Sequence, residues 1–136
     1  MDSELERRIR QAARYRCEYC HLPESVSKLR FPIDHVIAKQ HGGSSVFENL
    51  ALACAFCNRR KGPNVGGVNP TTGQIVRLFH PRKDHWQDHF RRIGPEIEGL
   101  SDVGRTTIVV LAINHPWQIA LRRALLNEGI SDLDES

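Results

Sequence analysis

The chain has 136 residues, of which 40% are hydrophobic and 26% are charged. This length suits one compact domain with one core, and the proportions are those of an ordinary globular protein. No apolar run approaches the roughly 20 residues that a membrane-spanning helix needs, and the charged N-terminus lacks the apolar segment of a secretory signal. The composition therefore excludes a multi-domain machine and a membrane protein, and it predicts a cytoplasmic location.

The net charge of +3 is distributed unevenly along the chain. Residues 1–93 carry 16 Lys and Arg against 9 Asp and Glu, whereas residues 94–136 carry 3 against 7. A basic surface attracts polyanions, because binding them releases counterions. On charge alone, a solvated basic face without any partner is the simpler explanation.

The first predicted element is an amphipathic helix over residues 4–15. Ser3 and Glu6 have the spacing of a capping box, and Ile9 lies on the apolar side of the helical pattern. This helix leads the chain to Cys17.

A strand, a loop, a second strand and a short helix are predicted next. Residues 28–35 alternate apolar and polar side chains as a strand does, and Pro32 places that strand at an edge. Residues 38–48 contain a Gly-Gly pair that is typical of a loop, and residues 50–53 return as a strand. Residues 55–61 predict a helix, which a following Gly-Pro pair ends.

Beyond this point the pattern predicts a long loop over residues 62–74 and a strand over residues 74–79. Asp84 then resembles the cap of another helix. One face of that predicted helix would carry Trp86, Phe90 and Ile93.

Part of the C-terminal region fits two kinds of secondary structure. Residues 105–113 are rich in β-branched side chains, which favour a strand, but the run precedes a helix predicted from Pro116 and fits a helix as well. The apolar side of the final helix would consist of Trp117, Leu121, Ala124 and Leu125. Residues 132–136 are an acidic end, which we expect to be disordered.

The four cysteines form two Cys-x-x-Cys pairs, Cys17 with Cys20 and Cys54 with Cys57. In a reducing compartment such pairs hold metal more often than they form disulfides, and four thiolates complete a tetrahedral zinc site. Because no coordination position stays open, the predicted Zn²⁺ is structural. The alternatives are buried core thiols or a redox pair, which two matched pairs make less plausible, and a zinc ribbon that only binds a partner.

The candidate catalytic residues lie between the two cysteine pairs and just after the second. Asp34 and His35 end the first predicted strand, a Gly-Gly pair follows, Asn49 precedes the second strand, and Asn58 follows the last cysteine. This combination resembles the HNH endonucleases over residues 17–62. The resemblance implies a ββα-metal fold and cleavage of DNA, with double-stranded DNA as the default substrate. A lone Asp-His pair would carry no such weight, but this order and spacing rarely arise by chance in a short chain.

The chemistry of these side chains agrees with phosphodiester hydrolysis. A neutral imidazole with an ordinary pKa of about 6.5 suits a general base near neutral pH, which favours His35. Mg²⁺ or another hard divalent ion takes oxygen ligands from one or two protein groups, which Asp34 and Asn58 can supply. The resemblance gives Asn49 the part of fixing the loop and thereby His35, although Asn residues at such places commonly cap turns.

Basic and histidine side chains surround this set. Arg59, Arg60 and Lys61 follow Asn58 on the same helix and are candidates for binding DNA phosphates, and a solvated helix end is the alternative. Three further histidines are better explained as a polar helix face and packing residues than as a second metal site: His80, His85 and His89.

The sequence thus predicts an α+β protein with a small zinc-stapled ββα-metal (His-Me finger) core and flanking helices. Residues 1–93 would form the nuclease core with its N-terminal helix and zinc site, and residues 94–136 a helical extension packed on the same domain. The predicted function is that of a metal-dependent endonuclease that hydrolyses DNA. The main alternative is a zinc-ribbon module that binds nucleic acid without cutting it, and a weaker one is a protein-interaction domain.

Overall fold

The computed structural model describes residues 2–130, which form short helices and three two-stranded antiparallel sheets. The helices are α1 (Ser3–Ala12), α2 (Ala55–Lys61), α3 (Trp86–His89), α4 (Asp102–Val110) and α5 (Pro116–Asn127). The strands are β1 (Ile33–His35), β2 (Leu50–Leu52), β3 (Gly66–Val68), β4 (Ile75–Arg77), β5 (Phe90–Ile93) and β6 (Glu96–Gly99). The sheets pair β1 with β2, β3 with β4 and β5 with β6.

The hairpin of β1 and β2, followed by α2, is the predicted ββα unit. Its register places His35 opposite Leu50 and Asp34 opposite Ala51. Helix α2 has the predicted bounds, and the following Gly62 has a φ of 52°, which ends the helix. The α+β class and the ββα core that the sequence predicted are therefore confirmed.

The first strand is shorter than the predicted span of residues 28–35. The backbone N–H of Phe31 donates to the carboxylate of Glu24, and the Phe31 carbonyl accepts from the guanidinium of Arg10. Because side chains take these backbone groups, they do not join a ladder, and β1 begins only at Ile33.

Helix α1 also differs from its prediction at both ends. Asp2, rather than Ser3, caps the helix, since its side chain accepts from the N–H of Leu5 at 2.8 Å. The helix ends at Ala12 because Arg14 and Tyr15 both adopt a φ of 56°, which a right-handed helix does not allow.

The prediction of a helix that begins at Asp84 is wrong. Only the four residues of α3 are helical, and Phe90 to Ile93 form β5, which pairs with β6. The Asp84 carboxylate caps no helix but accepts from Arg77 and from the N–H of His80. The hairpin pairing of β5 with β6 thus overrides the helical pattern.

The ambiguous residues 105–113 are mostly helical, within α4. Ser101 caps this helix by accepting from the N–H of Gly104 at 2.9 Å. Helix α5 begins at Pro116 as predicted, but its predicted apolar face is only partly right, because Leu125 is buried whereas Trp117 is 75% exposed. The buried side chains of α5 are Gln118, Arg122 and Leu125, and the acidic end lies outside the described residues.

One hydrophobic core runs from α1 to α5 and includes the four cysteines. It joins Ile9 of α1 to Leu111 and Ile113 after α4 and to Leu125 of α5. The Gln118 amide lies 4.0 Å from the sulfur of Cys20, so α5 reaches the cysteine cluster. The division into a nuclease core over residues 1–93 and an extension over residues 94–136 stays a prediction. None of the helices within residues 2–130 is long and apolar enough to span a membrane.

Candidate functional site

The four cysteine sulfurs converge in the core, between the turn after α1 and the start of α2. All four Sγ atoms lie within 4.8 Å of one another, and those of Cys20 and Cys54 are 3.8 Å apart. Tetrahedral zinc with Zn–S bonds of about 2.3 Å separates its sulfurs by roughly 3.8 Å. The cluster therefore has the composition and size of a structural zinc site.

Backbone N–H groups support both cysteine pairs. The N–H of Cys20 lies 3.5 Å from the sulfur of Cys17, and the N–H of Cys57 lies 3.4 Å from the sulfur of Cys54. Cys54 is also the N-cap of α2. A metal at the cysteines would thus fix where α2 begins and how it lies against the hairpin.

His35 is the last residue of β1 and is partly exposed. Its Nε2 lies 2.8 Å from the hydroxyl oxygen of Ser45, which the sequence did not single out. Partial burial, and next the charge of Lys39, hold the pKa of His35 below its ordinary value, while Asp34 acts in the opposite direction. The ring is therefore neutral near neutral pH, the state in which an imidazole accepts a proton.

Asn49 closes the loop between the two strands. Its amide oxygen accepts from the N–H of Ile37 at 2.9 Å, and its amide nitrogen donates to the carbonyls of Ile37 at 3.0 Å and Ser44 at 2.9 Å. A Cβ on Gly43 would lie 1.7 Å from the Ile37 carbonyl oxygen, so only glycine fits there. The loop that carries Ser45 is thereby held beside β1.

Asp34 lies on the opposite face of β1 from His35, towards α2, and is only 4% exposed. Its carboxylate accepts from the hydroxyl of Tyr19 at 2.7 Å and pairs with the ammonium of Lys61 at 3.3 Å. Burial raises the pKa of Asp34, and Lys61 and Tyr19 oppose that shift. No sequence pattern pointed to Tyr19 as a partner of Asp34.

Lys61 has a different position from the one that the sequence suggested. The side chain is buried, and its ammonium donates to the carbonyls of His35 at 3.2 Å and Val36 at 2.9 Å as well as to Asp34. The prediction that Lys61 contacts DNA phosphates is wrong, because its ammonium points into the protein. Arg59 and Arg60 on the same helix are exposed.

The sequence model of the HNH endonuclease family matches residues 17–64. These residues form an HNH endonuclease domain. Searches of curated proteins and of solved structures found no match to the chain. The HNH match contains both cysteine pairs, the hairpin and α2, and it confirms the family that the sequence motifs indicated.

HNH proteins use a divalent metal, and the side chains here fit a hard cation. The Asp34 carboxylate and the carbonyls of His35 and Val36 already surround one positive charge, the Lys61 ammonium. Asn58, three residues before Lys61 on α2, is half-buried, and its side chain makes no hydrogen bond to the described residues. Asp34 and the two carbonyls are oxygen donors of the kind that Mg²⁺ prefers, and the helical spacing puts Asn58 on the same side of α2 as Lys61.

Replacing Asn49 by alanine in the HNH domain should lower the free energy of unfolding by about 1–3 kcal/mol, because the polar groups of Ile37 and Ser44 lose their partner. Urea denaturation followed by circular dichroism measures this change. Asn64→Ala, at an exposed turn position, is the matched control. Equal stability of the two variants would contradict the role of Asn49 as a clamp.

Proposed function

We propose that the chain is a metal-dependent endonuclease that hydrolyses DNA phosphodiester bonds, with His35 as the general base. The observation that carries this proposal is a partly exposed imidazole at the end of β1, 2.8 Å from the Ser45 hydroxyl, in an HNH domain. The imidazole accepts a proton from water while the water oxygen bonds to phosphorus. The bond from phosphorus to the leaving sugar oxygen then breaks.

Asp34 and Asn58 are the proposed protein ligands of a Mg²⁺-type ion, with His35 and Asn49 completing the catalytic set. Such an ion, when bound, neutralises charge on the phosphate and on the leaving oxygen. Asn49 acts through the loop, since its bonds hold the segment whose Ser45 contacts His35. The Lys61 ammonium competes with such an ion for Asp34, and their pairing shows that this carboxylate attracts a positive charge.

Arg59 and Arg60 are the proposed contacts to DNA phosphates. Both are exposed, and within residues 2–130 neither pairs with a carboxylate. Phosphate contacts of this kind fix the position of a substrate without reading its sequence. Double-stranded DNA is the proposed substrate by resemblance to the family, and the reduced cysteines suit a cytoplasmic location.

A zinc ribbon that binds nucleic acid without cutting it is the second candidate, supported by the buried four-cysteine cluster. Nicking of supercoiled plasmid as a function of added Mg²⁺ or Mn²⁺, with bound zinc measured in each sample, separates the two. We expect nicking that depends on the added ion at constant zinc content. Plasmid binding without nicking at any ion concentration would support the ribbon and overturn the nuclease.

Lys61→Met tests the proposed ion site through stability. Removing the ammonium leaves Asp34 as a buried carboxylate without its partner, which should cost about 3–5 kcal/mol in the absence of a divalent ion. Added Mg²⁺ should then raise the melting temperature of Lys61→Met more than that of the wild type, since the ion no longer competes with an ammonium. Differential scanning calorimetry with and without Mg²⁺ measures both effects.

Two further variants control that experiment. Arg59→Met removes an exposed charge from the same helix and should leave the response to Mg²⁺ unchanged. The double variant Asp34→Asn/Lys61→Met lacks both buried charges, so it should recover stability and lose the enhanced response. An equal Mg²⁺ response in Lys61→Met and the wild type would argue against an ion at Asp34.

A further inference from the structure

A groove of about 820 Å³ lies between α2 and α5, outside the set of side chains proposed for catalysis. Its walls include Phe56, Arg59, Arg60, His115, Trp117 and Leu121. A volume of this size lies within the range of pockets that hold organic ligands. The groove is therefore large enough for part of a nucleotide chain.

Trp117 is the most unusual side chain of this groove, because it is 75% exposed while Trp86 is 8% exposed. Pro116 begins α5, and the His115 ring accepts from the N–H of Trp117 at 3.1 Å, so the backbone that carries the indole is fixed. Indole rings are large apolar surfaces that usually pack against another group. An uncovered indole on a fixed stretch of backbone offers a flat face for stacking.

The opposite wall of the groove is basic. The guanidinium of Arg60 lies 5.2 Å from the centre of the Phe56 ring, which holds it at the groove by a cation–π contact. Arg59 and Arg60 do not pair with any carboxylate within residues 2–130, in contrast to Arg77 and Arg91 but like the exposed Arg30 and Arg123. None of the side chains that line the groove is acidic.

The groove adjoins the proposed active site through one helix. Asn58, a proposed ion ligand, is followed directly by Arg59 and Arg60, which reach the groove. The proposed ion site and the groove thus share α2, and a DNA strand that lies along this helix is expected to contact both. Basic side chains beside an exposed aromatic ring are the combination that binds single strands, since phosphates meet cations and an unpaired base stacks on the ring.

We propose that this groove binds an unpaired segment of the DNA substrate next to the cleavage site, with a base stacked on Trp117 and phosphates held by Arg59 and Arg60. This inference rests on the proposed function, since it takes DNA as the substrate. It narrows the substrate class to DNA with unpaired bases near the cut, such as overhangs, flaps or junctions. A perfect duplex keeps its bases stacked and gains nothing from the indole.

Binding measurements in a His35→Ala background, in which cleavage is suppressed, test the proposal. Fluorescence anisotropy compares a labelled duplex that carries a single-stranded overhang with a blunt duplex of the same length. Trp117→Ala should weaken binding of the overhang duplex about tenfold and leave blunt-duplex binding unchanged. Trp117→Phe, which retains a ring, should recover much of the affinity.

Leu29→Ala is the matched control, because Leu29 is 79% exposed and does not line the groove. Quenching of the tryptophan emission by the overhang DNA, absent in Trp117→Phe, gives an independent readout of stacking. Unchanged overhang binding in Trp117→Ala, or equal weakening of both duplexes, would overturn the proposal. Loss of self-association in Trp117→Ala without a change in DNA binding would assign the groove to a contact between copies of the chain.

The outcome is separable from that of the nuclease proposal. Suppose that Trp117→Ala selectively loses overhang binding and that the wild type never nicks DNA. This result would support the proposed role of the groove and contradict the proposed hydrolysis. If the wild type and Trp117→Ala nick overhang substrates equally fast, the proposed hydrolysis is supported and the proposed role of the groove is contradicted.

Discussion

Replacement of His35 by alanine is expected to lower the rate of plasmid nicking about 10²- to 10⁴-fold, the usual contribution of a general base. The fold should persist, because His35 is partly exposed and its ring contacts the exposed Ser45. The zinc content and the melting temperature of the variant should therefore match those of the wild type. Initial nicking rates at equal protein and Mg²⁺ concentration give the comparison.

His41→Ala is the control for His35→Ala, since His41 is an exposed histidine in the loop that follows β1. It should nick DNA at the wild-type rate. The pH profile gives a second check, because burial and Lys39 hold the pKa of His35 below its ordinary value. The base is active when neutral, so the rate should fall only as the pH drops through that lowered pKa. An increase in rate on acidification would contradict the assignment.

Replacement of Cys54 by serine is expected to abolish zinc binding and cooperative folding together. Structural zinc sites in finger peptides contribute about 10–16 kcal/mol, more than the net stability of most domains of this size. Cys54 also caps α2, and the cluster lies in the same core as Ile9 and Leu125. Near-ultraviolet circular dichroism and metal analysis of the purified variant measure the two losses.

Ala55→Ser introduces the same residue one position later, where the side chain is exposed, and it should retain zinc and fold. Chelation of zinc from the wild type should reproduce the Cys54→Ser spectrum and be reversed by added Zn²⁺. A zinc-free wild type that still unfolds cooperatively at its original temperature would show that the cysteines act only as core thiols.

The sequence predicted the HNH core well because its determinants are close together along the chain. The two Cys-x-x-Cys pairs and helix 55–61 each consist of local spacing, and the structure has them where the pattern placed them. The order of motifs between the pairs also indicated the family. These features depend on side-chain type and spacing, which a sequence displays directly.

The surroundings of Asp34 could not be predicted in this way. Tyr19 and Lys61 lie 15 and 27 residues away along the chain, and nothing in their own neighbourhoods indicates that they meet at one carboxylate. Lys61 is part of a basic run that is typical of a solvated or DNA-binding surface. Only the packing of α2 on β1 shows that the last residue of that run points inward.

The C-terminal part was predicted less well for a different reason. Its strands are short and pair across tight turns, so the pairing of Phe90 to Ile93 with β6 decides their conformation against a helical pattern. On α5 the buried face contains Gln118 and Arg122, which bond to the Cys20 sulfur and the Ile113 carbonyl, and Trp117 is left exposed. A hydrophobicity pattern assigns these residues to the opposite faces.

The most direct test of this account is nicking of supercoiled plasmid by the zinc-loaded wild type in Mg²⁺, with zinc-loaded His35→Ala beside it. We predict conversion to the open-circular form by the wild type and at least a hundredfold slower conversion by the variant. Equal rates for the two proteins, or plasmid binding by the wild type without any nicking, would contradict it.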